Sequence, residues 1–357
     1  MNTNEPQLHR SAQPYFPDGD VVLRAAASEG VHLFRVHKHL LKHHSVAFND
    51  MFHVEDGSFS DTYDGVPVVD MPGDRAEDLA LLLSYVYHPT QLGQLSFKRF
   101  DPDKALKVSG VIRLADKYLL EPLHDHLVQE VASDWPTTLE EWGVRNAELQ
   151  AIRNVIFMQK TTKVSRFIPE PVSAILFAQE FGCPQILPSA FYQLAQINFK
   201  DTWDTLDREV SLFDWDAQRI NNTPVARWSL LEKDNLVRCL HGFQSIDDFR
   251  PEEHFLLSEH CFPTRERPDE DDYDVLRKQS KCYAYLCELV KVVWGKGGRR
   301  NPLQLLLECL DYEKYPELSK ERFPEGLCGH CRESLPTEIA RERGQVWRSL
   351  PRYFMLE

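Results

Sequence analysis

Long apolar runs are missing from this sequence of 357 residues. A membrane-spanning helix needs about 18–20 apolar residues in succession, and no segment approaches that length. The N-terminal residues 1–20 are polar and lack the apolar centre of a secretion signal. We therefore expect no membrane partner and an intracellular location, cytoplasmic and/or nuclear.

Blocks of basic residues are also missing. The chain has 41 Lys and Arg against 55 Asp and Glu, which gives a formal net charge of −14. Nucleic-acid backbones attract clustered positive charge, and neither a basic stripe nor zinc-finger spacing is visible here. We therefore expect no nucleic-acid partner.

Recognisable catalytic motifs are absent as well. No Gly-x-Ser-x-Gly nucleophile turn occurs. Residues 295–298 lack the upstream glycine of a phosphate loop and the Ser or Thr that follows its lysine. The acidic run at 269–272 lacks the alternating ligand positions of a calcium loop. The sequence therefore predicts a protein that is not an enzyme and holds no cofactor.

The most informative stretch that is present spans residues 31–53. Residues 31–36 alternate apolar with other side chains and are rich in β-branched and aromatic types, which predicts a strand. The apolar residues that follow recur at helical spacing. Ser45 interrupts that spacing as an N-cap does, because its hydroxyl can accept a hydrogen bond from the next turn. The stretch therefore predicts a strand, a short helix and a capped second helix.

Further helices are predicted from apolar stripes along the next part of the chain. Asp74 and Glu77 fit the capped start of one of them. The residues that we expect in the core are Leu40, Leu41, Phe48, Phe52, Leu79, Leu83, Val86, Leu114, Tyr118 and Leu127.

The central stretch resembles the centre of a BTB/POZ domain. The matching residues are Val36-His37-Lys38, Leu40-Leu41, Ser45, Phe48 and Met51-Phe52. Residues 111–118 resemble the "Ala-Asp-x-Tyr" helix of the same family. The resemblance implies an α+β fold in which a cluster of short helices is capped by a small mixed sheet.

Three parts of the chain are predicted on this basis. Residues 1–17, polar and proline-rich, are expected to be a flexible leader. Residues 18–134 are expected to form the BTB/POZ domain. Residues 135–357 are expected to be mainly α-helical, with a charged loop near 263–274. The whole layout resembles the expanded BTB family of mushroom-type (basidiomycete) fungi.

Four candidate interaction residues follow from the resemblance. Asp20 and Lys38 match two family positions that form a charged pair at a dimer interface, and the alternative is a strand-start aspartate and an exposed helix lysine. Met51 and Phe52 match the end of the helix that contacts cullins in the family. His37 matches the histidine at the strand–helix junction, for which we expect a structural role.

The resemblance implies a non-enzymatic adaptor or scaffold that binds protein partners through its BTB surface. Self-association as a homodimer is one form that this binding takes in the family. The first alternative is a substrate receptor of a cullin-type ubiquitin ligase, with a cullin as partner. The second alternative is a transcriptional regulator, although the sequence contains no recognisable DNA-binding module.

Histidines and cysteines raise the question of a metal site. His39 and His43 share a helical face but lack further ligands beside them, which favours a solvated face. Cys328 and Cys331 have the spacing of a zinc knuckle, but zinc needs four ligands and no second Cys-x-x-Cys occurs. The residues that could complete the shell are Cys282, Cys287, Cys309 and His330. The sequence predicts reduced thiols without a metal, because a lone pair supplies only half of the ligands.

Overall fold

The computed structural model describes residues 8–11, 14–54, 61–88, 98–159, 163–206, 223–252, 256–258, 261, 280–295 and 301–357. The chain forms two compact units, and each is built from two separate segments. The first unit comprises Met1–Asp134 and Ser165–Cys183, and the second comprises Trp135–Val164 and Pro184–Glu357. The first unit thus includes a segment that the sequence placed in the helical C-terminal region. The predicted charged loop at 263–274 lies outside the described residues.

Within the described residues, the two units contain five strands and a set of helices. The strands are β1 (Leu8–Arg10), β2 (Val21–Ala27), β3 (Gly30–Val36), β4 (Thr62–Tyr63) and β5 (Val66–Arg75). The helices of the first unit are α1 (Lys38–His44), α2 (Val46–Val54), α3 (Ala76–Tyr87), α4 (Lys104–Lys117), α5 (Glu121–Ala132) and α7 (Pro171–Glu180). The helices of the second unit are α6 (Leu139–Gln159), α8 (Leu187–Ala195), α9 (Lys233–Asp248), α10 (Lys281–Gly295), α11 (Pro302–Glu308) and α12 (Gly329–Tyr353). No helix in the described part of the chain is both long and apolar enough to cross a membrane.

A five-stranded mixed sheet lies in the first unit, in the order β1-β3-β2-β5-β4. Strands β2 and β3 form an antiparallel hairpin, with Val21 opposite Val36, and β3 contains the strand predicted at residues 31–36. Strand β2 also pairs in parallel with β5, where Arg24 Nε lies 2.5 Å from the Oδ1 atom of Asp70. The first three residues of β2 are fully buried apolar side chains, as expected for a strand covered on both faces. The α+β class predicted from the sequence is confirmed.

Part of residues 1–17, for which the sequence predicts a flexible leader, adds a strand to the sheet. Leu8–Arg10 forms β1, which pairs in parallel with β3. The Ser11 N–H then donates to the Leu33 carbonyl at 2.9 Å. Arg10 and the Tyr15 hydroxyl each reach Asp64 at 2.8 Å. The backbone N–H and C=O groups at the edge of β3 can pair with any extended segment. The amino-acid composition of residues 1–17 therefore does not predict this pairing.

Ser45 is the N-cap of α2, as predicted. Its Oγ accepts from the Phe48 N–H at 3.0 Å and donates to the Tyr118 carbonyl at 2.5 Å. Phe48 and Phe52 follow on the buried side of α2, and neither is exposed. The Phe48 ring stacks on the Tyr118 ring with 4.3 Å between centroids and 9° between planes. One capping serine thus connects α2 to the end of α4.

Asp74 has a different role from the predicted helix cap. Helix α3 begins after Arg75 without a side-chain cap. Asp74 is buried, and its carboxylate accepts from the Tyr118 hydroxyl and from Lys117 Nζ, the latter at 2.5 Å. Lys117 and Tyr118 are consecutive residues at the end of the segment 111–118 that resembles the family helix. This segment therefore binds a buried carboxylate and also supplies the aromatic ring that stacks on Phe48. A buried charge requires such partners.

A buried ion pair joins the first residue of α4 to the residues that follow α5. Lys104 Nζ is 2.7 Å from the Asp134 carboxylate, and each side chain is only 4% exposed. Lys104 also donates to the Glu130 carbonyl at 3.3 Å. Because both charges are withdrawn from water, each depends on the other for compensation.

Helix α7 belongs to the first unit and packs against α4. Glu170 caps it by accepting from the N–H groups of Val172 and Ser173 at 3.1 and 2.8 Å. At the other end, Arg113 of α4 binds the Glu180 carboxylate with two hydrogen bonds of 2.5 and 2.9 Å. The contact to α4 is therefore both a packing contact and a bidentate ion pair.

The second unit is arranged around α12, which packs against α6, α8, α9 and α11. Trp142 of α6 contacts Tyr192 of α8 edge-on, with ring centroids 5.2 Å apart. Phe354, just beyond α12, is fully buried and stacks with Phe191 of α8 at 5.4 Å. The helical C-terminal region predicted from the sequence is confirmed.

Gly242 of α9 is a point of close approach in this unit. A Cβ atom at Gly242 would lie 1.9 Å from Cε1 of the buried Phe354 ring. We expect Gly242→Ala to lower the free energy of unfolding of the second unit by about 1–3 kcal/mol, because the ring has to move in a packed core. Denaturant unfolding of the full chain, followed by tryptophan fluorescence, measures this loss.

Gly143 provides the matched control for that substitution. It also lies within a helix of the second unit, but a Cβ atom there would meet no atom within 4 Å. We expect Gly143→Ala to raise stability by up to about 1 kcal/mol, since alanine is the better helix former. Equal effects of the two substitutions would contradict the close approach at Phe354.

Candidate functional site

Asp20 and Lys38, for which the family resemblance predicts a charged pair, lie where β2 meets α1. Asp20 precedes β2, and its Oδ1 accepts from the Lys38 backbone N–H at 2.7 Å at the start of α1. The two residues line an open depression together with His39, Lys42 and His43. The structure thus brings Asp20 and Lys38 together at a surface formed by one face of α1, which we call the α1 surface.

The α1 surface has a basic character. Its helix has the sequence KHLLKHH and contains no acidic residue. His39 and His43 are exposed, as expected of a solvated face. Their ring centroids are 6.5 Å apart. Burial, followed by the neighbouring His43, lowers the pKa of His44 below its ordinary value, which disfavours its charged form at neutral pH. The lysines therefore carry the permanent positive charge of this surface.

Met51 and Phe52 differ in their exposure. Met51 is half-buried, whereas Phe52 is completely buried. The Phe52 ring packs beside Phe48, and Lys38 Nζ lies 5.7 Å from its centroid. Phe52 is therefore a core residue, and its ring lies close to the Lys38 ammonium group. Of the two candidates, only Met51 is partly exposed at the surface. The segment 55–60 that follows lies outside the described residues.

His37 lies at the strand–helix junction between β3 and α1. Its backbone N–H donates to the Tyr87 hydroxyl at 2.8 Å, and its Nδ1 is 2.9 Å from the same oxygen. On the other side, its Nε2 is 3.5 Å from the Asp18 carboxylate. The ring thus joins the end of α3 to the loop before β2.

Comparison with known proteins identifies this part of the chain. The family model of the BTB/POZ domain matches residues 18–134. Residues 18–134 are a BTB/POZ domain. A BTB domain is a protein-interaction module, and such domains mediate contacts between proteins, including dimerisation. No curated protein and no solved structure matches the chain.

A cluster of four cysteines lies outside the BTB domain, in the second unit. Its members are Cys261, Cys282, Cys328 and Cys331, and their sulfur atoms all lie within 4.8 Å of one another. Cys282 is in the first turn of α10, Cys328 is the N-cap of α12, and Cys331 is in the first turn of α12. The Cys261 sulfur is 3.5 Å from that of Cys328 and 3.4 Å from that of Cys331.

Backbone N–H groups point at three of these sulfurs. The Cys328 N–H donates to the Cys282 sulfur at 3.2 Å, and the Cys331 N–H donates to the Cys328 sulfur at 3.4 Å. The Ser258 N–H donates to the Cys331 sulfur at 3.5 Å. Donors in these positions stabilise negative charge on sulfur.

The thiols differ in acidity. Burial works to raise the pKa of Cys328, but hydrogen bonds from the Cys331 N–H and the neighbouring thiols outweigh it and lower the pKa to about 7. Burial raises the pKa of Cys261 to about 11. Burial also raises the pKa of Cys331. Cys328 is therefore the most readily ionised of these three thiols.

The sequence identified half of this cluster with its Cys-x-x-Cys pair and named Cys282 as one complement. It did not identify Cys261, which enters singly from a distant segment and carries no spacing signal. Cys287 and Cys309 are buried thiols that are not members of the cluster. The prediction that no metal is bound rested on two missing ligands, and the geometry now brings two further sulfurs to the pair.

Proposed function

We propose that the chain is a non-enzymatic adaptor or scaffold that binds protein partners through the α1 surface of its BTB domain. The match of residues 18–134 to the BTB/POZ domain carries this proposal. BTB domains generally act without catalysis, which supports the expectation that the protein is not an enzyme. The α1 surface supplies a place for binding because its charged side chains lie around an open depression.

Charge suggests the chemistry of the partner. The α1 surface presents Lys38 and Lys42 on a chain whose formal net charge is −14. Complementary potentials favour association, so an acidic partner surface fits this face best. A second copy of this acidic chain is one such partner, and a separate acidic protein is another.

Charge reversal on α1 tests the proposal. We expect Lys38→Glu/Lys42→Glu to weaken partner binding by at least about tenfold, because attractive contacts become repulsive. Sedimentation velocity measures self-association, and quantitative affinity purification with mass spectrometry measures other partners. Binding through these lysines should also weaken as salt is raised.

The control variant is Lys233→Glu/Lys320→Glu. Both lysines are exposed, both lie in the second unit, and the change in net charge is the same. Partners that bind the wild type and the control, but not the α1 variant, are the expected result. Equal loss in both variants, or binding unchanged in both, would contradict the assignment of the α1 surface.

The same purification separates the alternatives. A cullin among the retained partners would favour a ubiquitin-ligase receptor, whereas DNA-bound complexes would favour a transcriptional regulator. The helix that resembles the family's cullin contact is α2, and only Met51 of its terminal Met-Phe pair reaches the surface. We therefore rank the adaptor or scaffold first.

A further inference from the structure

We propose that Cys261, Cys282, Cys328 and Cys331 bind one zinc ion as a closed structural site in the second unit. The four sulfurs come from three separate places in the sequence: Cys261, the start of α10 and the start of α12. Zinc in structural sites takes four thiolate or imidazole ligands in a tetrahedron. Four cysteines fill that shell completely.

The sulfur separations fit a tetrahedral ion. A zinc–sulfur bond is about 2.3 Å, so two sulfurs of a tetrahedral site lie about 3.8 Å apart. The Cys261 sulfur lies 3.5 Å from one neighbouring sulfur and 3.4 Å from another, and all four sulfurs lie within 4.8 Å of one another. The printed separations are a few tenths of an ångström shorter than the tetrahedral value, and no separation in the cluster exceeds that value by more than about 1 Å.

A disulfide and a purely apolar packing role both fit the geometry of the cluster less well. A disulfide has its sulfurs about 2.05 Å apart and joins only two of them, and all four cysteines are free thiols here. Core cysteines that serve as small apolar residues, such as Cys183 and Cys239, are buried but do not belong to this group. Four sulfurs that converge on one another are the arrangement that a thiophilic ion requires.

The surroundings of the sulfurs suit four thiolates on a dication. Three of the sulfurs accept backbone N–H groups, from Ser258, Cys328 and Cys331. Such contacts orient metal ligands and disperse their negative charge. Cys328 and Cys331 also lie at the N-terminus of α12, where the helix dipole favours negative charge.

The consequence is a structural rather than a catalytic metal. With four protein ligands, no coordination position remains for water or substrate. The ion would join the starts of α10 and α12 to Cys261. Because α12 packs against α6, α8, α9 and α11, the ion would anchor the helix around which the second unit is arranged.

Elemental analysis of the full chain tests this inference directly. The protein is purified without a polyhistidine tag and without chelators, and its metals are measured by mass spectrometry. We expect about one zinc per chain and, after exchange with cobalt(II), the intense visible absorption of tetrahedral thiolate coordination. Both measurements use the wild type, so they do not depend on how a variant folds. Substoichiometric zinc, iron in its place, or a disulfide within the cluster would each overturn the inference.

Variants then assign the ligands. We expect Cys261→Ser and Cys328→Ser to lose the zinc, and a strong chelator to lower the Tm of the wild type but not of these variants. The matched control is Cys287→Ser, which changes a buried thiol on α10 outside the cluster. It should keep the zinc. Retention of zinc in the Cys261→Ser variant, or its loss in the control, would show that a different ligand set holds it.

Discussion

Replacing Phe48 by alanine is expected to lower the free energy of unfolding of the first unit by about 3–5 kcal/mol. Phe48 is completely buried, and its ring centroid is 4.3 Å from that of Tyr118 and 6.1 Å from that of Phe52. Truncation removes the buried ring and leaves a cavity that its rigid aromatic neighbours fill poorly. Denaturant unfolding of the full chain, monitored by far-UV circular dichroism, gives the value.

Val46→Ala is the matched control for Phe48→Ala. Val46 begins the same helix, but 62% of its surface is exposed. We expect its truncation to change stability by less than about 0.5 kcal/mol. A loss below about 1 kcal/mol for Phe48→Ala would place that residue at the surface and contradict the packing of α2 on Tyr118.

Lys104→Met is expected to cost about 3–5 kcal/mol, because it removes the ammonium group that compensates the buried Asp134 carboxylate. Both side chains are only 4% exposed and their charged atoms are 2.7 Å apart. Denaturant unfolding of the full chain, monitored by far-UV circular dichroism, measures this loss.

Two further variants separate the buried pair from a general effect of charge. The double variant Lys104→Met/Asp134→Leu should recover much of the loss, since both buried charges are removed together. Lys107→Met removes a lysine of the same helix whose side chain is 49% exposed, and it should cost less than about 1 kcal/mol. If Lys104→Met and Lys107→Met cost the same, the 104–134 pair is not buried in solution.

Local patterns predicted the elements whose signals lie within a few residues. Strand β3 and the Ser45 cap follow from alternation and capping chemistry, which depend on neighbouring residues alone. The predicted stripe was also largely right, since Leu41, Phe48 and Phe52 are buried, although Leu40 is half-exposed. Because Phe52 is buried, its side chain does not lie on the surface, where the family resemblance predicted an interaction residue.

Long-range partners explain what the sequence did not predict. Asp74 reads locally as a helix cap, but its partners are Lys117 and Tyr118, more than 40 positions away. Cys261 carries no motif, and only the fold places it beside Cys328 and Cys331. The pairing of β1 with β3 depends on backbone groups, which composition does not register.

The return of the chain to its first unit has a consequence for synthesis on the ribosome. The unit is interrupted after Asp134 and completed only by Ser165–Cys183, which contains α7. The nascent BTB domain therefore emerges with the α7-facing side of α4 uncovered, including Arg113, the partner of Glu180. At about 5–20 residues per second, the segment between residues 134 and 183 takes on the order of 2–10 seconds to add. During that interval the uncovered side of α4 is open to chaperones, and expression fragments that end at residue 134 would retain it permanently.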